Sequence, residues 1–365
     1  MLIFLSIPQH QHYKRELEEK IAVKVERCKA EEVRRKLQLL RLIDNDFKPM
    51  FEGGYVYFPV KTVNGLNSLH KEYSVEVVQA FFEKRLRKPK SLREALEKIL
   101  PNDLHSYIPS SIDLVGDIAL ITIPEKLESY SREIGTAIID LYPRVKTVLS
   151  KQGETIGEYR IRLFNIIAGG PDTETIHREH GCMYKVDLMK AFFNSRMSGE
   201  RLRVALQVRD KENILDMFAG VGPFSILIAK KNPTVTITAI ELNPDAYNYL
   251  LTNISLNKVE DRVKPYLGDA RQILEDFKPI FDRIIMDLPF NSLNFLDIAL
   301  SKLKNHGVIH LYHVESGVDS IDRAKLRVTR LAEEIGHRIE ITYSRQVLEV
   351  APRKFIIALD IKKIS

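Results

Sequence analysis

The stretch DMFAGVGPF, at positions 216–224, closes one apolar run and opens a helical pattern. Gly220 and Gly222 allow the backbone to bend sharply and to approach a ligand closely. Pro223 suits the first turn of a helix, where its missing N–H costs nothing. The segment therefore predicts a strand, a tight turn and a helix, with a ligand site at the turn.

Short apolar runs alternate with helical patterns from Asn213 to the end of the chain. Such alternation is typical of a parallel sheet with helices on both faces. The predicted strands are residues 214–218, 235–240, 263–267, 283–286 and 308–312. Two further runs, 339–347 and 354–361, are joined by Ala351-Pro352-Arg353 and predict an antiparallel pair at the end of the sheet. The fold class is therefore α/β, with a Rossmann-like domain over residues 191–365.

The part of the chain before position 191 predicts an N-terminal extension, residues 1–20, and two smaller α+β modules. The first module covers residues 21–70, and the second covers residues 71–190. The elements predicted for the first module are strands at 21–25 and 55–60 and a helix at 30–42, followed by a linker at 61–73. The elements predicted for the second are strands at 114–123, 145–149 and 159–164, a helix at 130–141, and a hairpin at 173–178 and 182–188.

The composition permits a nucleic acid as partner without requiring one. The chain has 365 residues, with 55 lysines and arginines against 49 acidic residues and a formal net charge of +6. A basic balance of this kind attracts polyanions. A basic stretch near the start of the second module is either a solvated face or an RNA-facing patch. Its cations are Lys84, Arg85, Arg87, Lys88, Lys90 and Arg93.

Cysteine use and hydropathy exclude several classes of protein. Cys28 and Cys182 form neither a zinc spacing nor a disulfide framework, so we expect free thiols in a reducing cytoplasm and predict no metal site. No stretch approaches the roughly 20 apolar residues of a membrane span. Residues 1–8 contain an apolar run, but they lack the basic region and the cleavage site of a signal peptide. These features predict a cytoplasmic protein.

Acidic residues near the predicted turn point to an adenosine-containing cofactor. Glu241 ends the second predicted strand, where a carboxylate can accept hydrogen bonds from both ribose hydroxyls. A dinucleotide-binding fold shares this acid but requires a third glycine at the helix start, where this chain has Ser225. Pro223 also removes an N–H that a pyrophosphate would use. The DMFAGVGPF turn instead resembles motif I of class I methyltransferases, which bind S-adenosylmethionine.

By that resemblance, Asp216 faces the methionine part of the cofactor, and Asp269, after the third strand, meets the adenine amino group. The fourth strand ends in Asp287-Leu288-Pro289-Phe290, at the sheet edge where ligands of doubly wound folds bind. This motif resembles the one that nucleic-acid N-methyltransferases place beside the target base, where proline stiffens the turn and Phe290 can stack on the base. The predicted cofactor residues are Asp216, Phe218, Gly220, Gly222, Glu241, Asp269, Asp287 and Pro289.

With these residues assembled, the chain resembles the archaeal tRNA (guanine-N1)-methyltransferase family from about Ile21 to Ile361. The most specific matches are GEYRIR at 157–162, TIHRE at 175–179, SRMSGER at 195–201, the turn at 216–224 and APR at 351–353. The resemblance implies methylation of the guanosine at tRNA position 37 by a monomer, with no DNA or membrane partner. It also implies an N-terminal module that touches the tRNA elbow, a middle RNA-recognition domain and a C-terminal methyltransferase domain.

The implied reaction sets its own requirements. N1 of guanine carries a proton that must leave before the nitrogen can attack, so a general base is needed. Negative charge then develops on O6, where a fixed cation stabilises it. By resemblance Glu200 is the base and Arg162 the O6 partner, and Asp287 completes the predicted catalytic set. The predicted RNA-binding residues are Arg160, Arg178, Phe192, Arg196, Arg201, Phe290 and Arg353.

Three positions depart from the family pattern and leave alternatives open. Asp287 replaces a common asparagine, Phe192 a common tyrosine and Ser195 a common proline. An ionised aspartate accepts hydrogen bonds but cannot donate them, so the substrate atom is open. The alternatives are aminocarboxypropyl or methyl transfer in wyosine biosynthesis at the same position, methylation of an exocyclic amine in RNA, and a tRNA-binding protein without activity.

Overall fold

A computed structural model describes residues 17–85, 89–156 and 161–364 of the chain, without the side chains of residues 67, 68, 71, 154–156, 161 and 162. The chain divides into two compact units, Met1–Pro89 and Lys90–Ser365. Within the described residues, no helix is long and apolar enough to cross a membrane. Cys28 is exposed, Cys182 is buried, and both are free thiols.

An antiparallel sheet with two covering helices forms the first unit. Its elements are β1 (Leu17–Glu26), α1 (Ala30–Leu39), β2 (Met50–Glu52), β3 (Tyr55–Pro59), α2 (Asn67–Tyr73) and β4 (Glu76–Glu83). In residues 17–85 the strand order is β2-β3-β1-β4. Val33 and Leu37 of α1 are buried with Val23 and Val25 of β1 in one core.

Two features of the first unit differ from the sequence pattern. The predicted linker at 61–73 contains α2, because Leu66 and Leu69 are buried in the core and anchor this stretch to the sheet. β1 starts at Leu17, before the predicted module start at position 21, and pairs with β4, beyond its predicted end at position 70. Pairing across the sheet, and not local sequence, thus holds these segments in the first unit.

A second sheet begins the larger unit. Its elements are α3 (Leu92–Leu96), β5 (Asp113–Val115), β6 (Ile118–Ile121), α4 (Ser131–Leu141), β7 (Thr147–Ile156) and β8 (Ile161–Gly169), with short 3-10 helices at Asn102–Tyr107 and Glu125–Tyr130. The order is β5-β6-β7-β8, in which β6 and β7 are parallel. The predicted strand at 114–123 is two strands, because Gly116 has φ +57° and turns the chain so that Val115 pairs with Ile118.

The predicted hairpin is present as β9 (Glu174–Glu179) and β10 (Cys182–Asp187). The remaining elements are α5 (Ser198–Ala205), β11 (Asn213–Asp216), α6 (Pro223–Lys231), β12 (Thr236–Glu241), α7 (Pro244–Asn257), β13 (Val263–Leu267), α8 (Ala270–Leu274), β14 (Phe281–Met286), α9 (Leu296–Lys302), β15 (Leu303–Ser316), α10 (Ser320–Glu334), β16 (Ile339–Ala351) and β17 (Lys354–Lys363).

Strands β11 to β17 confirm the predicted α/β class. Residues 213–363 form a seven-stranded sheet in the order β13-β12-β11-β14-β15-β17-β16. The first five of these strands are parallel, and β17 runs antiparallel to both of its neighbours. Helices α6 and α7 pack on one face of this sheet, and α8, α9 and α10 pack on the other. The direction of winding reverses between β11 and β14, and ligands of such folds bind at the carboxyl ends of the strands near this point.

Candidate active site

A cavity of about 2050 Å³ lies at the carboxyl ends of β11, β12 and β14. Small-molecule sites in proteins typically measure about 300–1,000 Å³, so this cavity has room for more than one cofactor-sized ligand. Phe218, Gly220 and Glu241 line one side, and residues of β7 and β8, such as Lys151 and Asn165, line another. The site therefore lies between the parallel sheet and the sheet of the second module.

The turn after β11 takes its shape from two glycines with left-handed backbones. Gly220 has φ +55° and Gly222 has φ +89°. The Ala219 N–H donates to the Ile240 carbonyl at 2.8 Å, and the Gly222 N–H donates to the Ala219 carbonyl at 2.8 Å. A Cβ on Gly222 would lie 2.6 Å from Cδ1 of Leu250, whereas one on Gly220 would meet nothing closer than 4.0 Å. Gly222 is therefore needed for packing, while Gly220 leaves open space at the cavity.

Glu241 ties the turn to the next strand. Its Oε2 accepts the Gly220 N–H at 2.6 Å, and its Oε1 accepts the Asn243 N–H at 2.8 Å. Burial raises the pKa of Glu241, and these backbone hydrogen bonds partly oppose the rise. Each carboxylate oxygen keeps a second lone pair. The carboxylate is thus oriented in advance and can still accept hydrogen bonds from a pair of ribose hydroxyls.

Asp216 lies below the turn with one oxygen unpartnered. The Ser225 hydroxyl donates to its Oδ2 at 2.6 Å, and Oδ1 is buried with no hydrogen-bond partner among the described residues. Burial raises the pKa of Asp216 to about 7, against the hydrogen bond from Ser225 and with a contribution from the negative charge of Asp287. An unpartnered buried carboxylate oxygen is costly. The methionine ammonium of S-adenosylmethionine is the kind of group that would satisfy it.

The adenine end of the predicted site has a polar and an apolar component. Asp269 lines the cavity and caps α8, because its Oδ1 accepts the N–H groups of Arg271 and Gln272. Its Oδ2 takes no hydrogen bond from the described residues and can accept one from an amino group. Phe218 and Phe295, whose ring centroids lie 5.0 Å apart, form an apolar wall of the cavity. Taken together, the residues present fit S-adenosylmethionine.

The strand-four motif lines another part of the same cavity. Asp287, Pro289 and Phe290 all contribute to the wall, and Phe290 is 55% exposed. The Val314 N–H donates to the Pro289 carbonyl at 2.9 Å and fixes the turn. The Lys354 Nζ lies 5.4 Å from the centre of the Phe290 ring. Sequence reasoning missed Lys354, although it directly follows the APR motif.

The predicted base, Glu200, lies behind the cavity wall. Its side chain is 4% exposed, and it is not among the described residues that line the cavity. Its Oε2 accepts hydrogen bonds from Nε of Arg203 at 2.8 Å and from the hydroxyl of Tyr312 at 3.3 Å. Oε1 takes no hydrogen bond from the described residues. Glu200 is therefore buried and held in one orientation, although the charged residues around it in α5 would be compatible with an exposed acid on the helix surface.

Arg201 does not have the geometry expected of an RNA-binding residue. It is 2% exposed, and its guanidinium donates to both oxygens of Glu179 at 2.6 and 2.8 Å and to the Asn194 carbonyl at 3.1 Å. Burial alone would raise the pKa of Glu179, but His177 and Arg201 hold it at about 2. The expectation that Arg201 contacts RNA is thus corrected, because its donors are already used inside the protein.

The other predicted RNA contacts divide into three groups. Phe192 and Arg196 are exposed and line the cavity. Arg178 and Arg353 are also exposed, but they lie outside the cavity lining; Arg353 occupies the β16–β17 turn with φ +59°. Arg160 and the side chain of Arg162 lie outside the described residues. The structure thus brings only part of the predicted set to the cavity.

Asp113 of β5 joins two cations on the cavity wall, and sequence reasoning did not identify it. It accepts hydrogen bonds from Nζ of Lys151 at 2.5 Å and from Nε of Arg196. Burial alone would raise the pKa of Asp113, but these two cations hold it below its usual value. The cluster connects the second module to the segment before α5. No local sequence signal reveals it, because its three members come from separate elements.

Three family descriptions match successive parts of the chain. They are the TRM5/TYW2 methyltransferase domain at residues 175–342, the TYW2 N-terminal domain at 92–173 and the tRNA methyltransferase 5 N-terminal domain at 22–65. Among curated proteins, the chain is 42% identical over 343 residues to tRNA (guanine(37)-N(1))-methyltransferase Trm5b of Pyrococcus abyssi. That match covers 94% of this chain and 98% of the relative.

Solved structures show the same similarity. The complex of aTrm5 and tRNALeu matches with a TM-score of 0.78 and 34% identity, over 94% of this chain and 100% of the other. The structure of Methanocaldococcus jannaschii TYW2 in complex with AdoMet matches with a TM-score of 0.54 and 29% identity, over 70% of this chain and 99% of the other. The resemblance drawn from the sequence motifs is therefore confirmed.

The two glycines of the turn are expected to respond differently to alanine. Gly222→Ala should lower the free energy of unfolding by about 3 kcal/mol, because the new Cβ overlaps Leu250 at a left-handed backbone position. Gly220→Ala should cost about 1 kcal/mol of stability but weaken S-adenosylmethionine binding, because its methyl group enters the cavity. Chemical denaturation and calorimetry measure the two effects. Equal stability losses, or undiminished binding by Gly220→Ala, would contradict this assignment.

Asp216 should make the stability of the ligand-free protein depend on pH. Its pKa is about 7 in the folded protein and about 3.9 in an unfolded chain. Between these values the unfolded state releases a proton that the folded state keeps, so stability falls as pH rises from about 4 to about 7. Asp216→Asn should remove the contribution of Asp216 to this slope, so that melting experiments give a smaller loss of stability between about pH 4 and about pH 7 for the variant than for the wild type. Identical slopes for the wild type and the variant would show that Asp216 is already ionised.

Proposed function

Because the chain belongs to the TRM5/TYW2 methyltransferase family, we propose that it transfers the methyl group of S-adenosylmethionine to N1 of guanosine 37 in tRNA. The observation that carries the proposal is the match to Trm5b over 94% of this chain. The site adds independent support, since Asp216, Glu241 and Asp269 present acceptors suited to an ammonium, a ribose and an adenine amino group. The large cavity beside them has room for a base.

S-adenosylmethionine supplies an electrophilic methyl group on a sulfonium, which leaves as a neutral thioether and needs no acid. The protein must therefore activate the nucleophile, by removing the N1 proton of guanine. We assign this role to Glu200, whose Oε1 takes no hydrogen bond from the described residues. Among the described residues, Met197 and Arg201 line the cavity and Glu200 does not, so the Glu200 carboxylate has to move toward the cavity when the base is bound.

The substrate base is held by the opposite wall in this proposal. Asp287 accepts a hydrogen bond from the 2-amino edge of guanine, which an ionised carboxylate can do. Phe290 stacks on the ring. Arg162 supplies the cation for O6, which is supported by its place in β8, two residues before the cavity-lining Phe164. Arg196 and Phe192, on the same cavity, contact the neighbouring nucleotides.

We also propose that the chain acts as a monomer in the cytoplasm, on a tRNA bound by both units. A monomer would give a mass near 42.1 kDa in light scattering. Binding to tRNA should weaken as salt rises, because lysines and arginines release counterions from the phosphates. A dimer mass, or binding that is insensitive to salt, would contradict this part of the proposal.

The reaction is tested with tRNA transcripts that carry guanosine, adenosine or inosine at position 37, followed by nucleoside mass spectrometry. We expect 1-methylguanosine from the guanosine transcript and no product from the adenosine transcript. Glu200→Gln should lower the single-turnover rate by roughly 100-fold or more without loss of cofactor binding, because the general base is removed. Asp287→Ala should cost about tenfold, the value of one hydrogen bond, whereas Asp287→Asn keeps an acceptor and should stay near the wild-type rate.

Two outcomes would overturn the assignment. A modified nucleoside other than 1-methylguanosine, including a methylated exocyclic amine, would leave fold and cofactor in place but replace the reaction. A near-normal rate for Glu200→Gln together with an inactive Asp287→Asn would make Asp287 the proton acceptor.

A further inference from the structure

A chain of buried and half-buried polar residues starts at Glu200 and crosses the sheet away from the cavity. Arg203 donates from Nε to Glu200 at 2.8 Å and from its two terminal nitrogens to Asp360 at 2.6 and 3.0 Å. The Arg203 guanidinium also lies 4.2 Å from the centre of the Tyr343 ring. One guanidinium is thus shared by two buried carboxylates, from α5 and from β17.

The chain continues through His310 to a second ion pair. Nδ1 of His310 lies 2.7 Å from Oδ1 of Asp360, and its Nε2 lies 2.6 Å from Nη1 of Arg283. Arg283 in turn donates to both oxygens of Glu212 at 2.7 and 3.0 Å. The pairing of β15 with β17 places His310 beside Asp360, so the strand register fixes this contact. His310, Asp360 and Arg283 are all buried.

The protonation of His310 follows from its partners. A guanidinium only donates hydrogen bonds, so Nε2 of His310 must accept from Arg283 and the ring proton must be on Nδ1. His310 is therefore neutral and donates to Asp360. Burial lowers the pKa of His310, although the neighbouring Asp360 opposes this. Arg283 is balanced by Glu212, which leaves Arg203 alone to balance Glu200 and Asp360.

The two carboxylates that share Arg203 are not equivalent. Asp360 receives two hydrogen bonds from Arg203, one from His310 and one from Gln207 at 3.1 Å. Burial alone would raise the pKa of Asp360, but His310 and Arg203 hold it well below its usual value. Glu200 receives one bond from Arg203 and one from Tyr312, both on Oε2. Asp360 therefore takes most of the donors in this cluster, and Glu200 takes fewer.

We propose that Asp360 and Tyr312 are positioning residues for methyl transfer. Asp360 occupies both terminal nitrogens of Arg203, so that Glu200 keeps only part of a countercharge. Tyr312 holds Oε2 of Glu200, so that Oε1 is left to take the proton. The inference rests on the proposed function, in which Glu200 is the base. Burying charges is expensive, and apolar replacements of buried ion pairs are often no less stable. Stability alone therefore does not explain this network, whereas a role in controlling the protonation of Glu200 does.

The ionisable groups linked to Glu200 come from its own helix and from two strands, whereas helix α6, which also packs against α5, carries only Lys230 and Lys231, in its last turn. Arg203 belongs to the same helix, Tyr312 and His310 belong to β15, and Asp360 belongs to β17. Asp287, after β14, adds a negative charge that is felt at Tyr312. Arg201, the next residue of α5, is occupied by Glu179. Removing the Asp360 carboxylate is thus the change that most increases the number of Arg203 donors available to Glu200.

The test is the pH dependence of single-turnover methyl transfer by the full chain with tRNA. In Asp360→Asn, Arg203 is free to pair fully with Glu200, so the acid limb should move to lower pH by about one unit and the plateau rate should fall ~10-fold. Glu212→Gln is the matched control, because it also removes one carboxylate from a buried arginine. It should lower the melting temperature and leave the pH profile unchanged.

Tyr312→Phe keeps the inference testable if Asp360→Asn does not fold. It removes a donor from ionised Glu200, so the acid limb should move to higher pH, opposite to the effect of Asp360→Asn. Adding Asp360→Asn to Glu200→Gln should cause no further loss of rate, because both act through Glu200. Unmoved acid limbs in Asp360→Asn and Tyr312→Phe, with Glu200→Gln inactive, would overturn the inference alone. An active Glu200→Gln would instead overturn the proposed function.

Discussion

The hydrogen bond from the Gly220 N–H to the Glu241 carboxylate joins the ends of two neighbouring parallel strands, and the site is arranged around it. It holds the turn after β11 in a left-handed bend that brings the backbone to the cavity. It also orients an acid that can receive a ribose. The bond requires β11 and β12 to end at the same level, which their parallel pairing ensures. The parallel sheet is therefore a precondition of the site.

Charge at the site is distributed between the cavity and the layer behind it. Asp216 and Glu241 are acids near the turn whose pKa values are raised by burial, and of the two Glu241 lines the cavity. Glu200 is buried as well, but it shares Arg203 with Asp360. In the proposed function, the first two acids bind the cofactor and the third accepts the proton. Their different surroundings separate the two roles within one sheet edge.

The sequence predicted the parallel sheet well because strands buried on both faces appear as continuous apolar runs. Its five parallel strands and the antiparallel end are confirmed within a few residues. Helix α2 was missed because its stretch is mostly polar and resembles a linker, although Leu66, Leu69 and Tyr73 pack it against the core. β4 was missed because its pairing with β1 joins residues far apart in sequence.

The local backbone of the candidate site was predictable where a motif fixes it, as at the turn and at Glu241. Arg201 and Arg203 show the limit. They stand two positions apart on α5, yet Arg201 is used by Glu179 from the β9–β10 hairpin and Arg203 by Glu200 and Asp360. The position of each partner depends on the tertiary fold. For the same reason, neither the cluster around Asp113 nor the one around His310 is visible in the sequence.

The most direct test of the central claim follows the fate of the cofactor in two parallel reactions with guanosine-37 tRNA. S-adenosylmethionine is radiolabelled in the methyl group in one reaction and in the carboxyl carbon in the other. Methyl transfer predicts that only the methyl label enters the tRNA, and that it is recovered in 1-methylguanosine. Incorporation of the carboxyl label would contradict the account, because it would show transfer of the aminocarboxypropyl group from the same site.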